Sequence, residues 1–289
     1  MRQLLFVARQ AALMGLAAVG YFGVRGLTEG KVELADRHAR QVLRIERWLG
    51  IDFEIPLQEA VLRSDFAVDI ANWIYIWGHW PVVIATLVWL AVRHRPDFYE
   101  LRNAMFISGA IGLLIYATYA VTPPRLLAID YIDTVTENSS SYRVLQPPGL
   151  VNKYAAVPSL HFGWNLLVGL SWRRVNSNRL AAVASVAMPV AMGFAVVATA
   201  NHWVFDVLAG TVVALAGLFI ERARRSYLMR RQGPAAAAPN GGPRGDAVPP
   251  TATSNQGLRG RDGTADGPVL GWTCNGLASV ECDPASRCR

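Results

Sequence analysis

Long apolar runs separated by short polar segments fill the first 231 residues of the chain. Six of these runs are candidate spans: Leu4 to Val24, Phe66 to Val92, Leu101 to Val121, Ser159 to Trp172, Arg179 to Thr199 and His202 to Ile220. A helix needs about 20 such residues to cross about 30 Å of hydrocarbon, and only the fourth run is clearly short of that. The runs lack the period-two alternation of a membrane barrel, and helices satisfy their own backbone groups in lipid. The pattern therefore predicts an all-α, polytopic membrane protein built as a six-transmembrane-helix bundle.

Three regions follow. Residues 1–65 read as an N-terminal membrane anchor and an amphipathic outer segment, 66–231 as the membrane core, and 232–289 as a disordered cytoplasmic tail. Pro234, Pro239, Pro243, Pro249 and Pro250 interrupt any helix in the tail, which is otherwise rich in Gly, Ala and Thr. The first run lacks a convincing small-residue cleavage site before Arg25, so it is expected to be an uncleaved anchor and not a signal peptide. No repeat at a solenoid period is present.

Charge gives the runs a direction. Arg2 and Arg9, then Arg93, Arg95 and Arg102, then Arg173, Arg174 and Arg179, then Arg222, Arg224, Arg225, Arg230 and Arg231 all fall on one side of a six-span topology. Arginine-rich short loops stay in the cytoplasm, which places both termini inside and the segments 25–65, 122–158 and 200–201 outside, in a plasma (cytoplasmic) membrane protein. The outer 25–65 segment mixes its arginines with Glu29, Glu33, Asp36, Glu46, Asp52, Glu54 and Glu59, as a surface-lying amphipathic helix would.

Composition agrees with this reading. Hydrophobic residues make up 52% of the chain and charged residues 17%, well under the roughly 25% of a soluble domain. The net charge of +7 comes from arginines in short clusters between apolar runs, so topology and not nucleic acid accounts for it. Cys274, Cys282 and Cys288 all lie in the tail at spacings that match neither a zinc ribbon nor a redox pair.

Polar groups inside or at the edge of a span ask for a reason. Three clusters stand out, all on the predicted outer side. In Thr122-Pro123-Pro124-Arg125 two prolines stop a helix and present a guanidinium suited to bidentate phosphate contact. In Tyr154-Ala155-Ala156-Val157-Pro158-Ser159-Leu160-His161, Pro158 suits the first turn of a helix whose N-terminus, with the Ser159 hydroxyl and His161, could receive an anion. In Asn201-His202-Trp203-Val204-Phe205-Asp206, His202 and Asp206 stand four apart, and an aspartate there can fix the imidazole tautomer and free the other ring nitrogen. Each has an ordinary reading too: a snorkelling arginine, a polar helix cap, a pair that pins two helices. His79, among Trp73, Trp77 and Trp80, reads either as part of an aromatic interface belt or as a substrate contact.

These motifs, in this order, resemble the type 2 phosphatidic-acid phosphatase superfamily over about Phe66 to Gly210. The matches are Pro123-Pro124-Arg125, Pro158-Ser159-Leu160-His161, and His202 with Asp206 followed by Val207-Leu208-Ala209-Gly210. Leu160 in place of a glycine, the Tyr154-Ala155-Ala156 lead-in and the stretch Asn72 to Pro81 look more like its inositolphosphotransferase-like branch, related to inositol phosphorylceramide synthases. The resemblance implies that His202 attacks phosphorus, Asp206 orients it, His161 protonates the leaving oxygen, and Arg125 with Ser159 holds the phosphate oxygens. It implies no metal and no other cofactor. Two family cations are missing or replaced, with Thr118 and Val196 at their positions, which the divergent branch tolerates; Lys153, Arg143 or Tyr154 could supply a donor from the outer loop.

The expected activity is hydrolysis of a membrane lipid phosphate or pyrophosphate at the outer face through a phosphohistidine. The alternative is a phosphotransferase that passes the head-group phosphate to an alcohol acceptor, held by the loop carrying Asp130, Asp133 and Glu137. A non-enzymatic lipid-binding or transport protein, and a metal held by His161, His202 and Asp206, are the remaining readings. The expected partners are the lipid bilayer and its phosphate-bearing lipid, and no nucleic acid.

Overall fold

The computed structural model describes residues 2–25, 32–127, 131–135 and 154–231. Lys153, Arg143, Asp130, Glu137, the tail from 232 onward and its three cysteines lie outside the described residues. The described chain is helical: α1 (Arg2–Arg25), α2 (Val32–Leu49), α3 (Glu54–Leu62), α4 (Asp65–Trp77), α5 (Trp80–Arg93), α6 (Arg95–Thr118), α7 (Leu160–Val175), α8 (Arg179–Ala198) and α9 (Val204–Arg231). A short 3₁₀ turn, Pro124–Leu126, follows α6.

Local chemistry sets these boundaries. Ser64 and Asn178 cap α4 and α8 by accepting from the Ala67 and Ala181 N–H groups. Pro81 and Pro96 sit in the first turns of α5 and α6, where a missing N–H removes no helix bond. Among the described residues four stretches are long and apolar enough to cross a membrane: Asp65–Arg93, Arg95–Thr118, Arg179–Ala198 and Val204–Arg231. The other two expected spans, carried by α1 and α7, are not among them. In α1, Gln10 is buried and hydrogen-bonded to Arg102. α7 has only 16 residues, which at 1.5 Å per residue is about 24 Å of helix.

The expected single span from Phe66 to Val92 is interrupted at Gly78 and His79, where α4 ends and α5 begins. The break turns His79 into the bundle, where it is 2% exposed, while Trp73, Trp77 and Trp80 stay on the outside. The belt reading therefore fits the tryptophans and not the histidine.

α7 is the centre of the bundle, packed by α5, α6, α8 and α9, and α9 also lies along α6. Its approach to α8 depends on a pair of exceptions. Pro189 inside α8 has no N–H for the Ser185 carbonyl, and that oxygen lies 2.2 Å from where a Cβ on Gly169 would stand. A side chain at Gly169 would hold the helices apart.

The 32–49 segment, expected to lie on the surface, is amphipathic, and its apolar face belongs to the core. The face of α2 made by Ala35, Ala39, Val42, Leu43 and Glu46 is buried, and Ala39, Val42 and Leu43 pack with Val121, Ala156 and Trp203.

At the end of the bundle that carries the start of α6 and the ends of α7 and α9, buried Glu100 accepts hydrogen bonds from Arg174, Arg222 and Arg225. Glu221, fully buried, accepts from Arg224 and Asn103. Glu100→Ala leaves three partly exposed guanidinium groups without their shared acceptor, and a loss of about 1–3 kcal/mol is expected after allowance for solvent. Thermal unfolding in detergent measures it; an unchanged midpoint would remove the cluster from the account of stability.

Candidate functional site

Backbone hydrogen bonds join the three polar motifs before any side chain is considered. Val121, just ahead of the proline–arginine turn, forms an isolated parallel bridge with Ala155: its N–H donates to the Tyr154 carbonyl at 2.9 Å and its carbonyl accepts from Ala156 at 3.3 Å. The Ser159 N–H donates to the Asp206 carbonyl at 2.9 Å, joining the second motif to the third. The Arg125 N–H donates to the Ala200 carbonyl at 2.9 Å, joining the first to the third. Residues more than 80 positions apart in sequence thus share one end of the bundle.

The third motif enters the site by a tight turn. Ala200 takes φ +53°, a left-handed conformation that carries strain for a residue with a Cβ. The N–H groups of Asn201 and His202 then both donate to the Val196 carbonyl, at 3.1 and 3.0 Å. Val196, expected to mark a missing cation, contributes its backbone oxygen instead. Thr118, at the other missing cation, is exposed and back-bonded to Leu114.

The helix begins at Val204, so His202 precedes it, and the two residues do not meet as neighbours on a helix face. They meet because Asp206 reaches back over the helix start: its Oδ2 accepts from the Trp203 N–H at 2.8 Å and contacts His202 Nδ1 at 3.1 Å. The Ala156 carbonyl lies 2.9 Å from the same Nδ1. Both neighbours of Nδ1 are acceptors, so Nδ1 carries the ring proton and Nε2 keeps its lone pair. His202 is 6% and Asp206 0% exposed, which shields this arrangement from water.

Ser159 caps α7, accepting from the Phe162 N–H, and is fully buried. Pro158 accordingly precedes the cap and does not occupy the first turn; its carbonyl accepts from the Tyr116 hydroxyl at 2.5 Å. His161 lies in the first turn with its ring 5.9 Å from that of His202. The ring stacks on Tyr75 at 5.1 Å and stands 4.3 Å from His79, and its Nε2 is buried with no hydrogen-bond partner among the described residues. Asn165 fixes His79 from below: its amide nitrogen donates to the His161 carbonyl at 2.8 Å and lies 3.0 Å from His79 Nδ1, which is therefore the accepting nitrogen.

Arg125 sits in the 3₁₀ turn. Its Nε donates to Asn201 Oδ1 and its Nη1 to Asp133 Oδ2, each at 2.9 Å. Asp133, expected among residues that hold an acceptor, is instead the carboxylate on the arginine, with the two side chains 18% and 10% exposed. Tyr154 is placed beside the arginine turn by its carbonyl, which Val121 uses.

Residues 40–220, more than half of the chain, match the PAP2 superfamily. The chain belongs to the PAP2 superfamily. No curated protein and no solved structure matches it. Membership implies a phosphatase-type membrane enzyme, and the matched segment begins inside α2, well before the Phe66 at which the motif resemblance starts. Among the described residues no three His, Cys, Asp or Glu side chains are grouped to hold a metal ion.

Several members of this PAP2 site had no role assigned from the sequence. Asn201 and Asp133 on the arginine, Tyr75 on His161 and Asn165 on His79 come from four separate segments. Asn201 lies at the head of the third motif and Tyr75 within the Asn72 to Pro81 stretch, and Asn165 was open to detection as a polar residue one turn beyond His161 in an apolar helix.

The crossing of α7 and α9 is set by Gly210, where a Cβ would stand 2.3 Å from the Ser159 carbonyl oxygen. Gly210→Ala forces backbone apart between the second and third motifs and is expected to lower stability by about 1–3 kcal/mol. A wild-type thermal midpoint for this variant would contradict the close crossing.

Proposed function

We propose that the protein is an integral membrane lipid phosphatase that hydrolyses a lipid phosphate or pyrophosphate at the outer membrane face through a phosphohistidine. The observation that carries this reading is the His202 ring, held through Nδ1 by two acceptors with Nε2 left as a nucleophile, 5.9 Å from a second histidine.

The chemistry runs in two balanced steps. His202 Nε2 attacks phosphorus and forms an N–P bond while the bond from phosphorus to the lipid oxygen breaks. A protonated His161 gives that oxygen its proton, and Asp206 stabilises the positive imidazole ring. Water then attacks phosphorus, loses a proton to His161, and the N–P electrons return to His202 as inorganic phosphate leaves. Arg125, turning from Asp133 to the phosphate, and Ser159 at the α7 N-terminus supply the positive field for the equatorial oxygens. His79 and Tyr75 set the orientation of His161, and Tyr154 with Lys153 are the nearest candidates for further head-group contacts.

The topology supports an outer-facing site. The three motifs gather at one end of the bundle, and the arginines around Glu100 and Glu221 lie at the other, where the positive-inside rule places the cytoplasm. On this reading α1 and α7 join the four long apolar stretches to make six membrane-embedded helices, and both termini are cytoplasmic.

The second reading, a phosphotransferase of the inositolphosphotransferase-like branch, draws on a specific observation as well. His202, Asp206 and Ser159 are all nearly or fully buried, which disfavours free water and favours an acceptor alcohol bound beside the donor. Leu160, in the place of a glycine, points to the same branch.

Purified protein in detergent, offered phosphatidic acid, polyprenyl phosphate and pyrophosphate, and phosphatidylinositol with alcohol acceptors, tests both. Phosphate release is expected from wild type, with none above background from His202→Ala, a fall of about a hundredfold or more from His161→Ala, and a smaller fall from Arg125→Ala. Phosphate found only on the added alcohol selects the transferase. Wild-type turnover by His202→Ala would overturn the assignment of the nucleophile.

A further inference from the structure

Three carboxylates crowd the first turn of α9, and only one of them belongs to the family motifs. Asp206 takes the Trp203 N–H. Glu54, at the start of α3, takes the Val204 N–H through Oε1 at 2.9 Å, and Glu46, in the last turns of α2, takes the Phe205 N–H through Oε1 at 2.7 Å. Glu46 and Glu54 are 0% and 1% exposed. The N–H groups that open α9 are therefore filled by side chains and leave no room there for a phosphate, unlike the start of α7.

The charges do not balance if all three are ionised. Helix N-terminal N–H groups favour a negative charge of about half an elementary unit, and three buried carboxylates far exceed it. Among the described residues two oxygens, Glu46 Oε2 and Asp206 Oδ1, are buried with no donor to accept from. One proton held between Glu46 and Glu54 removes a charge and turns the orphaned Glu46 Oε2 into part of a hydrogen bond to Glu54. Glu46 faces Glu54 from α3, Asp206 from α9 with His202 beyond it, and Tyr131 from the loop, while Arg47 and Asp52 pair with each other at the surface. Burial, with Glu54 and Asp206 adding to it, pushes the Glu46 carboxyl up to about 9.

We propose that Glu46 and Glu54 form a proton-sharing pair that clamps the outer segment onto the first turn of α9, and that they are positioning residues for His202. The inference rests on the reading of His202 as nucleophile. Its logic is geometric: the pair holds Val204 and Phe205, that turn aims Asp206, and Asp206 fixes Nδ1 of His202. With the proton lost at alkaline pH, two adjacent buried carboxylates repel, the turn loosens, and the nucleophile loses its tautomer and place.

The sign follows from linkage. A carboxyl raised from its ordinary value of about 4.5 to about 9 binds a proton in the folded state that the unfolded chain has released. Its stabilising share is full below about 4.5 and is lost progressively as pH rises toward 9.

Two measurements on the full chain in detergent test the proposal: the thermal midpoint against pH, with no ligand, and the pH profile of phosphate release from phosphatidic acid and polyprenyl pyrophosphate. Wild type is expected to lose stability toward pH 9 and to show an alkaline fall in kcat near it. Glu46→Gln, which keeps the shape and cannot ionise, is expected to flatten the stability slope and move the alkaline fall up by about one pH unit or more. Glu54→Gln likewise leaves one carboxylate where there were two, and is expected to weaken the alkaline fall in the same way. Glu46→Ala is expected to lower kcat about tenfold with KM within about twofold, as befits a residue that acts through another. Identical alkaline limbs in wild type and Glu46→Gln would overturn the proposal. If wild type turns over neither donor, the phosphatase reading fails separately, and equal pH slopes of the thermal midpoint in wild type and Glu46→Gln then overturn the proton-sharing pair.

Discussion

The contact between Asp206 Oδ2 and His202 Nδ1 is the point on which the rest of the site converges. A neutral imidazole can be a nucleophile at one nitrogen only if the other holds the proton, and two acceptors, Asp206 and the Ala156 carbonyl, enforce that choice. Everything around them fixes position. The Ala200 turn sets where His202 leaves α8, the Trp203 N–H holds the same Asp206 oxygen, and the Asp206 carbonyl holds Ser159 at the head of α7.

The same economy explains why the bundle tolerates so many polar groups. At the site end, several buried polar side chains serve either a motif residue or the backbone that presents one: Tyr116 on Pro158, Asn201 on Arg125, Asn165 on His79 and the His161 carbonyl. At the other end, glutamates on α6 and α9 neutralise a cluster of arginines. Between the two ends the helices meet through small residues, with Gly169 against Ser185 and Gly210 against Ser159, because lipid offers no hydrophobic drive and close backbone contact must supply the attraction.

The outer segment shows where reading by pattern falls short. Its amphipathicity was plain, and a surface-lying helix was the natural inference. The buried face of α2 includes Glu46, however, and that carboxyl reaches across to α9, 159 residues away in sequence. A charge in an outer helix looks solvated unless its partner is known, and here the partner is the backbone of a helix start. Likewise Asp133 looked like a loop residue and is the counter-ion of Arg125.

What the sequence determined by itself was the apolar runs, the clustering of arginine between them, and the three polar motifs, because each rests on residues adjacent in the chain or one helical turn apart. It placed His202, Asp206, His161, Ser159 and Arg125 as a set. Tertiary structure alone decided that α4 and α5 break at His79 and turn it inward, that His202 stands ahead of its helix, and that Glu46, Glu54, Asn165, Tyr75 and Asp133 surround the motifs. The physical reason is range: a hydrogen bond or ion pair between distant segments depends on how the helices cross, and no local pattern records that crossing.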